Sequence, residues 1–129
     1  MKTKFAIGCL VQWYECDIIG EYIETLKEAI DAYDGEVIVD FHISQNQELE
    51  KCISDEQFNK YVSKIVNLVF GISKSSIDLV TIADYRRNFN SKYCDSVDVL
   101  MWGESDMLVP KQTFNILDNL HQMSLQSNN

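Results

Sequence analysis

Two carboxylates at the end of an apolar run are the residues in this sequence best suited to chemistry. Glu104 and Asp106 are separated by one serine, and they follow Gly103 and the β-favouring residues 97–102. Carboxylates at the mouth of a buried strand provide the hard oxygen ligands that Mg²⁺ and Mn²⁺ prefer. The same spacing recurs elsewhere in this acidic chain, at Glu15/Asp17 and Glu48/Glu50. The position after a strand therefore favours a metal or ligand site, while solvated loop acids or a helix-capping role stay open.

Two adjacent arginines precede that apolar run. Arg86 and Arg87 fall in the first turn of a predicted helix, where a cation is unfavourable against the helix dipole. An anionic ligand would relieve this conflict, because paired guanidinium groups suit phosphate oxygens. Asn90 lies four residues after Arg86, so these two side chains share a helix face. Pairing of the arginines with Asp84 or Asp95 is an equally good interpretation.

Two further acids lie near the ends of predicted strands. Asp40 is inside an apolar strand at residues 36–43, where a carboxylate without partners is costly. It could accept hydrogen bonds from a base or a sugar, or it could cap a backbone amide. Glu15 follows the first strand beside Trp13 and Tyr14, which could stack on a base or pack over the sheet edge.

The elements that must position these residues alternate along the chain. Strands are predicted at residues 4–11, 36–43, 77–83 and 97–102. Helices are predicted after N-caps at Asp17, Ser54 and Asp84, and a last helix is predicted over Lys111–Gln122 with Pro110 near its first turn. This alternation predicts an α/β domain with three α/β/α layers, a mostly parallel four-stranded sheet and Rossmann-like connections. In such a sheet, ligands bind outside the carboxyl ends of the strands, where the strand order reverses.

Periodicity also predicts which side chains are buried. The first helix repeats apolar residues at helical intervals, namely Ile18, Tyr22, Ile23, Leu26, Ile30 and Tyr33. The third helix places aromatic residues four apart, at Tyr85, Phe89 and Tyr93. Phe114, Leu117 and Leu120 are expected on the buried side of the last helix, which is followed by a frayed tail at 124–129. Cys9 is expected to be buried in the first strand, and Trp102 is expected in the core rather than against a ligand.

Composition limits the class of function. The formal net charge of −9 and a pI near 4.5 argue against a nucleic-acid partner, whose backbone requires clustered Lys and Arg. A small phosphorylated ligand is still compatible, because a metal ion or two arginines can offset its charge locally. The four cysteines form no C-x-x-C pair. We therefore expect a single reduced, cytoplasmic domain over residues 1–129, with no transmembrane segment.

Taken together, these residues resemble the nucleotide-sugar-binding half of a GT-A fold glycosyltransferase of the broad family-two type. The similarity covers nearly the whole chain. In that family an acid or Asn near the nucleoside follows the first strand, and Glu15 would fill that place. The second strand ends in an Asp that contacts the base. The segment VIVDFHIS offers Asp40 there, without the usual second acid directly after it.

The second part of the resemblance concerns the diphosphate. The family has a basic residue and then an Asn before the fourth strand, and YRRNFN supplies Arg86 or Arg87 and Asn90. Its fourth strand ends in a D-x-D metal motif that a Pro often follows. The segment VDVLMWGESDMLVP matches this arrangement, with Glu104 in place of the first Asp and with Asp106 as the second.

The resemblance implies a domain that binds a UDP- or GDP-linked nucleotide diphosphate-sugar through Mn²⁺ or Mg²⁺, for glycosyl transfer to an unknown acceptor. Enzymes of this family continue for a further half that carries the acceptor pocket. This chain is therefore expected to be a truncated or minimal domain, and no catalytic base is assigned. The alternative hypothesis is a non-catalytic α/β interaction domain that forms a homodimer. Nucleotidyl transfer is a third possibility, but the glycines are scattered and form no phosphate-binding loop.

Overall fold

The computed structural model describes residues 1–12, 15, 18–44, 56, 73–75 and 81–127. Its strands are β1 (Phe5–Gln12), β2 (Val37–Ser44), β3 (Ser73–Ser75) and β4 (Val99–Trp102). Its helices are α1 (Ile19–Asp31), α2 (Ile82–Tyr93) and α3 (Thr113–Ser127). Trp13, Tyr14, Asp17 and the helix predicted from Ser54, apart from Glu56, lie outside the described residues.

The described strands form one parallel sheet in the order β3-β2-β1-β4. β1 lies between β2 and β4, with Gly8 opposite Asp40 in β2 and opposite Trp102 in β4. Parallel pairing on both sides suits the continuous apolar run of β1, whose first five residues are all buried. The α/β class predicted from the sequence is confirmed.

The third predicted strand is placed differently from the expectation. The strand beside β2 is the three-residue β3, upstream of the predicted residues 77–83. Residues 76–80 lie outside the described ranges, and Thr81 is already the N-cap of α2. Ile82 and Ala83 are therefore the first residues of a helix and not the end of a strand. The predicted set of four strands is not confirmed, because its third member was placed at residues 77–83.

Alternation along β1 assigns its two faces to different helices. Phe5, Ile7, Cys9 and Val11 pack in a cluster with α1 and with Phe114 of α3. Ala6, on the opposite face, packs with the aromatic residues of α2, and Leu10 joins that cluster. Because successive side chains of a strand point to opposite faces, the sheet separates α2 from α1 and α3. Cys9 is buried as predicted, and its thiol is free.

The N-cap of helix α2 lies three residues before the predicted cap. The Oγ1 of Thr81 accepts a hydrogen bond from the Asp84 amide at 3.1 Å, so Thr81 and not Asp84 caps the helix. Arg86 and Arg87 consequently fall in the second turn. The conflict with the helix dipole that was predicted for them is weak, because that effect fades beyond the first turn. The buried aromatic face of α2 is confirmed.

The ends of α1 and α3 correct two predictions of burial. Ile18 precedes α1 as its N-cap without a side-chain hydrogen bond and is 51% exposed, so it does not belong to the buried face. Phe114 is buried in α3 as predicted, but Leu120 is 55% exposed and Asp118 is buried instead. Helix α3 continues through Ser127, so residues 124–127 are helical rather than frayed. None of the described helices is long and apolar enough to cross a lipid bilayer.

Candidate functional site

A cavity of about 340 Å³ opens at the carboxyl ends of β1 and β4. Its wall is formed by β1, the residues before α1, the start of α2 and the loop after β4. The chain leaves β1 towards β2 and β3, and it returns to pair β4 with the other side of β1. The cavity therefore lies where the strand order reverses, which is the usual ligand position in an open parallel sheet.

The floor of the cavity is built from two glycines. The Gly103 amide donates a hydrogen bond to the Gly8 carbonyl at 2.7 Å. A Cβ atom at Gly8 would lie 2.8 Å from the Tyr85 hydroxyl oxygen, and one at Gly103 would lie 2.1 Å from that of Tyr22. Tyr85 of α2 thus contacts the floor from one face of the sheet, and Tyr22 of α1 contacts it from the other face. Both positions therefore exclude a side chain, because the tyrosine hydroxyls occupy the space that a Cβ atom would take.

Glu15 lies in the cavity wall, where its carboxylate joins two turns. One oxygen accepts a hydrogen bond from the Gln12 amide at 3.1 Å, and the other accepts from the Ser105 hydroxyl. Ser105 is only 2% exposed, although it lies between two exposed acids. Glu15 therefore ties the turn after β1 to the turn after β4 and holds Ser105 inside the wall.

Glu104 and Asp106 flank this buried serine and point to water. The Glu104 side chain is 63% exposed, and within the described part of the chain Nη2 of Arg86 approaches it to 3.9 Å. Burial raises the pKa of the Cys9 thiol, and the charges of Glu15, Glu104 and Asp106 raise it further. All three carboxylates therefore act on the same end of β1, and Cys9 stays protonated below them.

Arg86 is the predicted phosphate-binding residue that the structure brings to the cavity. Its guanidinium carbon lies over the Trp102 ring, 4.6 Å from the ring centre, within cation–π distance. Asn90 accepts a hydrogen bond from Nε1 of Trp102 at 3.1 Å and is not itself in the cavity wall. Trp102 is 48% exposed, so the prediction of a core tryptophan is wrong. Its indole packs on the outer part of α2 instead.

Besides Asn90, two of the predicted site residues lie away from the cavity, namely Asp40 and Arg87. Arg87 is exposed and forms an ion pair with Asp84 at 3.0 Å, which was the alternative interpretation. Asp40 is buried in the middle of β2 and accepts hydrogen bonds of 2.7 Å from both Tyr85 and Tyr93. Burial, together with the Asp40 carboxylate, raises the pKa of each tyrosine, which keeps both hydroxyls protonated as donors.

The donor set suits a cation only in part. Among the residues that the structure describes, no three His, Cys, Asp or Glu side chains are grouped to hold a metal ion. Glu104 and Asp106 offer two carboxylates, and Mg²⁺ commonly takes one or two from a protein and the rest from phosphate and water. The residues therefore fit a cation that arrives with a diphosphate, rather than a cation held by protein atoms alone.

Two residues that shape the site were missed at the level of sequence. Tyr85 lines the cavity and also bonds to Asp40, but its spacing from Phe89 and Tyr93 indicated only a buried face. Ser105 was treated as a spacer between two acids. The available signal for both was a hydroxyl at a buried position, because a buried hydroxyl must find a partner.

Comparison with known proteins assigns this chain to no family, since no protein-family model, curated protein or solved structure matches it. The residues of the cavity wall therefore carry the functional argument. They combine the three carboxylates of Glu15, Glu104 and Asp106 with the guanidinium of Arg86. Isoleucines at the starts of α1 and α2, each about half exposed, complete the rim.

Proposed function

We propose that this chain binds a nucleotide diphosphate-sugar, UDP- or GDP-linked, as the donor-binding domain of a glycosyltransferase with GT-A-like alternation. One observation carries the proposal. Arg86 and the two exposed carboxylates of Glu104 and Asp106 face a single cavity at the position where the order of a parallel sheet reverses. A charged ligand with phosphate and metal components is the chemistry that uses both kinds of group.

The charges of the wall make a divalent cation part of the proposal. Of the residues that the structure describes, three carboxylates and one guanidinium line the cavity, in a chain of net charge −9. A free diphosphate would meet like charge there, whereas its complex with Mn²⁺ or Mg²⁺ carries much less negative charge. Glu104 and Asp106 hold the cation, which when bound stabilises negative charge on the leaving diphosphate. Arg86 binds a remaining phosphate oxygen.

The other predicted binding residues take supporting parts in the proposal. Glu15 orients the nucleoside from the wall, where its bond to Ser105 already fixes its position. Asp40 acts indirectly, because its carboxylate holds the Tyr85 hydroxyl above Gly8. The proposal covers donor binding and assigns no catalytic base. The free thiols of Cys9 and Cys94 favour a reducing, cytoplasmic location as part of the same proposal.

The test is a thermal-shift titration with UDP- and GDP-sugars, each with and without Mn²⁺. We expect stabilisation that requires the cation and that saturates with nucleotide, because binding to the folded state raises its stability. Asp106→Ala should abolish this response. Asp34→Ala is the matched control, since Asp34 is an exposed acid in the turn before β2, at the opposite end of the sheet.

The titration has two outcomes that would contradict the proposal. One is stabilisation of the wild type that is the same with and without Mn²⁺. The other is a response in Asp106→Ala equal to that of Asp34→Ala, because the mouth of the cavity would then have no part in binding.

A second function, self-association, is favoured by the outer face of α3. Ile116, Leu120 and Met123 are 55%, 55% and 64% exposed, and their spacing places them on one stripe. The charged residue of this helix is Asp118, which is buried on the opposite side. The stripe is therefore uncharged in a strongly acidic chain, so a second copy can approach it without opposing like charges.

The spacing of the stripe is also self-complementary. In an antiparallel pair of α3 helices related by a two-fold axis near Leu120, Ile116 of one copy meets Met123 of the other. Light scattering after size exclusion should show a dimer that Leu120→Glu dissociates. Leu108→Glu is the control, because Leu108 is 60% exposed in the loop after β4. A monomer at high concentration, or a dimer that persists in Leu120→Glu, would exclude this surface.

A further inference from the structure

Trp102 is an exposed aromatic side chain that two residues of α2 hold in one orientation. Its Nε1 donates to Asn90 Oδ1 at 3.1 Å, and the Arg86 guanidinium lies over the ring. Nearly half of the indole surface nevertheless stays in water. Burial of apolar area alone therefore does not account for the arrangement, because an indole placed only by hydrophobic packing would cover more of its surface.

The position of Trp102 determines how the Arg86 side chain is held. Within the described residues, the polar group that approaches the guanidinium is the Glu104 carboxylate. Nη2 of Arg86 lies 3.9 Å from Oε1 of Glu104, which is longer than a hydrogen bond. The contact that holds the guanidinium is thus its position over the Trp102 ring and not an ion pair. A cation–π contact requires none of the five guanidinium N–H donors, so these donors remain for a ligand in the cavity whose wall includes Arg86.

We propose that Trp102 is a positioning residue, which holds Arg86 at the cavity wall in the orientation that receives an oxygen of the diphosphate. This inference rests on the proposed function for the identity of its ligand. A long arginine side chain loses conformational freedom when a ligand immobilises it, and a guanidinium that already lies over an aromatic ring loses less. Asn90, predicted as a binding residue, acts one step further away by fixing the indole through Nε1.

The inference predicts a graded series of affinities. Calorimetric titration with UDP and Mn²⁺ should show binding weakened about tenfold in Trp102→Leu, the size expected for loss of a partly desolvated cation–π contact. Trp102→Phe should fall between wild type and Trp102→Leu, because a ring remains under Arg86 while the bond to Asn90 is lost. Arg86→Ala should bind at least as weakly as Trp102→Leu.

A spectroscopic measurement separates positioning from a general structural role. In a Trp13→Phe background, Trp102 is the remaining tryptophan of the chain. Addition of pyrophosphate with Mn²⁺ should change its emission, because the anion engages the guanidinium that lies over its ring. The same addition should leave the emission of an Arg86→Ala variant in that background unchanged.

The outcomes distinguish this inference from the proposed function. Equal UDP affinity in wild type, Trp102→Phe and Trp102→Leu would overturn the positioning role and leave nucleotide binding intact. If Trp102→Leu does not fold, equal affinity in wild type and Trp102→Phe, with no emission change on pyrophosphate, overturns it. Binding of pyrophosphate with the Trp102 signal but no binding of nucleotides would overturn the proposed function and retain the positioning role. Binding of neither ligand overturns both.

Discussion

The acids of this protein fall into two groups that differ in how their oxygens are used. Asp40 and Asp118 are both about 94% buried, and hydrogen bonds from other elements satisfy each of them. Glu104 and Asp106 are exposed at the mouth of the cavity, with a 3.9 Å approach to Arg86 as the nearest charge contact. The first pair fastens helices to the sheet. The second pair remains available to a ligand.

Glu15 stands between these groups and explains how the mouth keeps its shape. It belongs to the cavity wall, but both of its oxygens accept hydrogen bonds from the protein. The hydrogen bond between Ser105 and Glu15 therefore fixes the backbone that carries Glu104 and Asp106, and neither of these two acids takes part in it. A rigid frame that carries exposed charges is the arrangement expected of a binding site, since the frame limits the entropy lost on binding.

The largest loss of stability should come from substitution of Asp40, which belongs to the buried group of acids. Asp40→Ala removes the carboxylate that accepts from the Tyr85 and Tyr93 hydroxyls, and it leaves Tyr85 only the 3.3 Å bond to the backbone carbonyl of residue 40. The free energy of unfolding should therefore fall by about 2 to 4 kcal/mol. Urea denaturation measures the loss. Tyr93→Phe is the control, because it removes one of the two bonds and should cost about 1 kcal/mol. A loss below about 1 kcal/mol in Asp40→Ala would show that Asp40 contributes no more to stability than the exposed acids do.

Asp118 should produce a smaller effect that depends on pH. Hydrogen bonds from the Thr3 hydroxyl and amide, at 2.6 and 3.0 Å, lower the pKa of Asp118 from 3.8 to about 2. Its contribution is present above the unfolded value and is lost as the pH falls from about 4 through 2. Asp118→Asn should therefore cost on the order of 1 kcal/mol at pH 7 and progressively less as the pH falls towards 2.

The check on Asp118 is a pair of urea denaturation series between pH 7 and pH 2. The free energies of wild type and Asp118→Asn should converge at the acidic end. If their difference stayed constant across the series, the hydrogen bonds to Thr3 would not favour the ionised form, and the assignment of Asp118 to the buried group would fail.

The smallest effect on stability should come from substitution of the two exposed acids at the mouth of the cavity. Glu104→Ala and Asp106→Ala remove exposed carboxylates, so each should change the free energy of unfolding by less than about 0.5 kcal/mol. The same variants should lose the nucleotide response that depends on Mn²⁺. A marked destabilisation by either variant would show that these acids are structural, and it would erase the distinction between the two groups.

The sequence located the elements well where local periodicity decides them. The apolar run of β1, the aromatic face of α2 and the apolar residues of α1 were all predicted from spacing alone, because burial on one face imposes that spacing. Helix ends were less predictable. Thr81 and Asp84 are both good N-caps, and the choice depends on where the chain leaves the preceding segment.

The candidate site was predicted only in part, for a related reason. Glu15, Arg86, Glu104 and Asp106 do line one cavity, as expected of residues near the carboxyl ends of parallel strands. Asp40 has the same kind of sequence environment, but its side chain points to α2 and not to the cavity. Trp102 was expected in the core because it is large and apolar, yet it forms an exposed support for Arg86.

The sequence by itself therefore determined the α/β class, the buried strand β1 and the chain position of the acids. Only the tertiary structure decided which acids are free to bind a ligand. Tyr85 and Tyr93 reach Asp40 across 45 and 53 residues of chain, Ser105 reaches Glu15 across 90, and Thr3 reaches Asp118 across 115. Periodicity records which face of an element is buried, but the hydrogen-bond partner of a carboxylate comes from whichever element packs against that face.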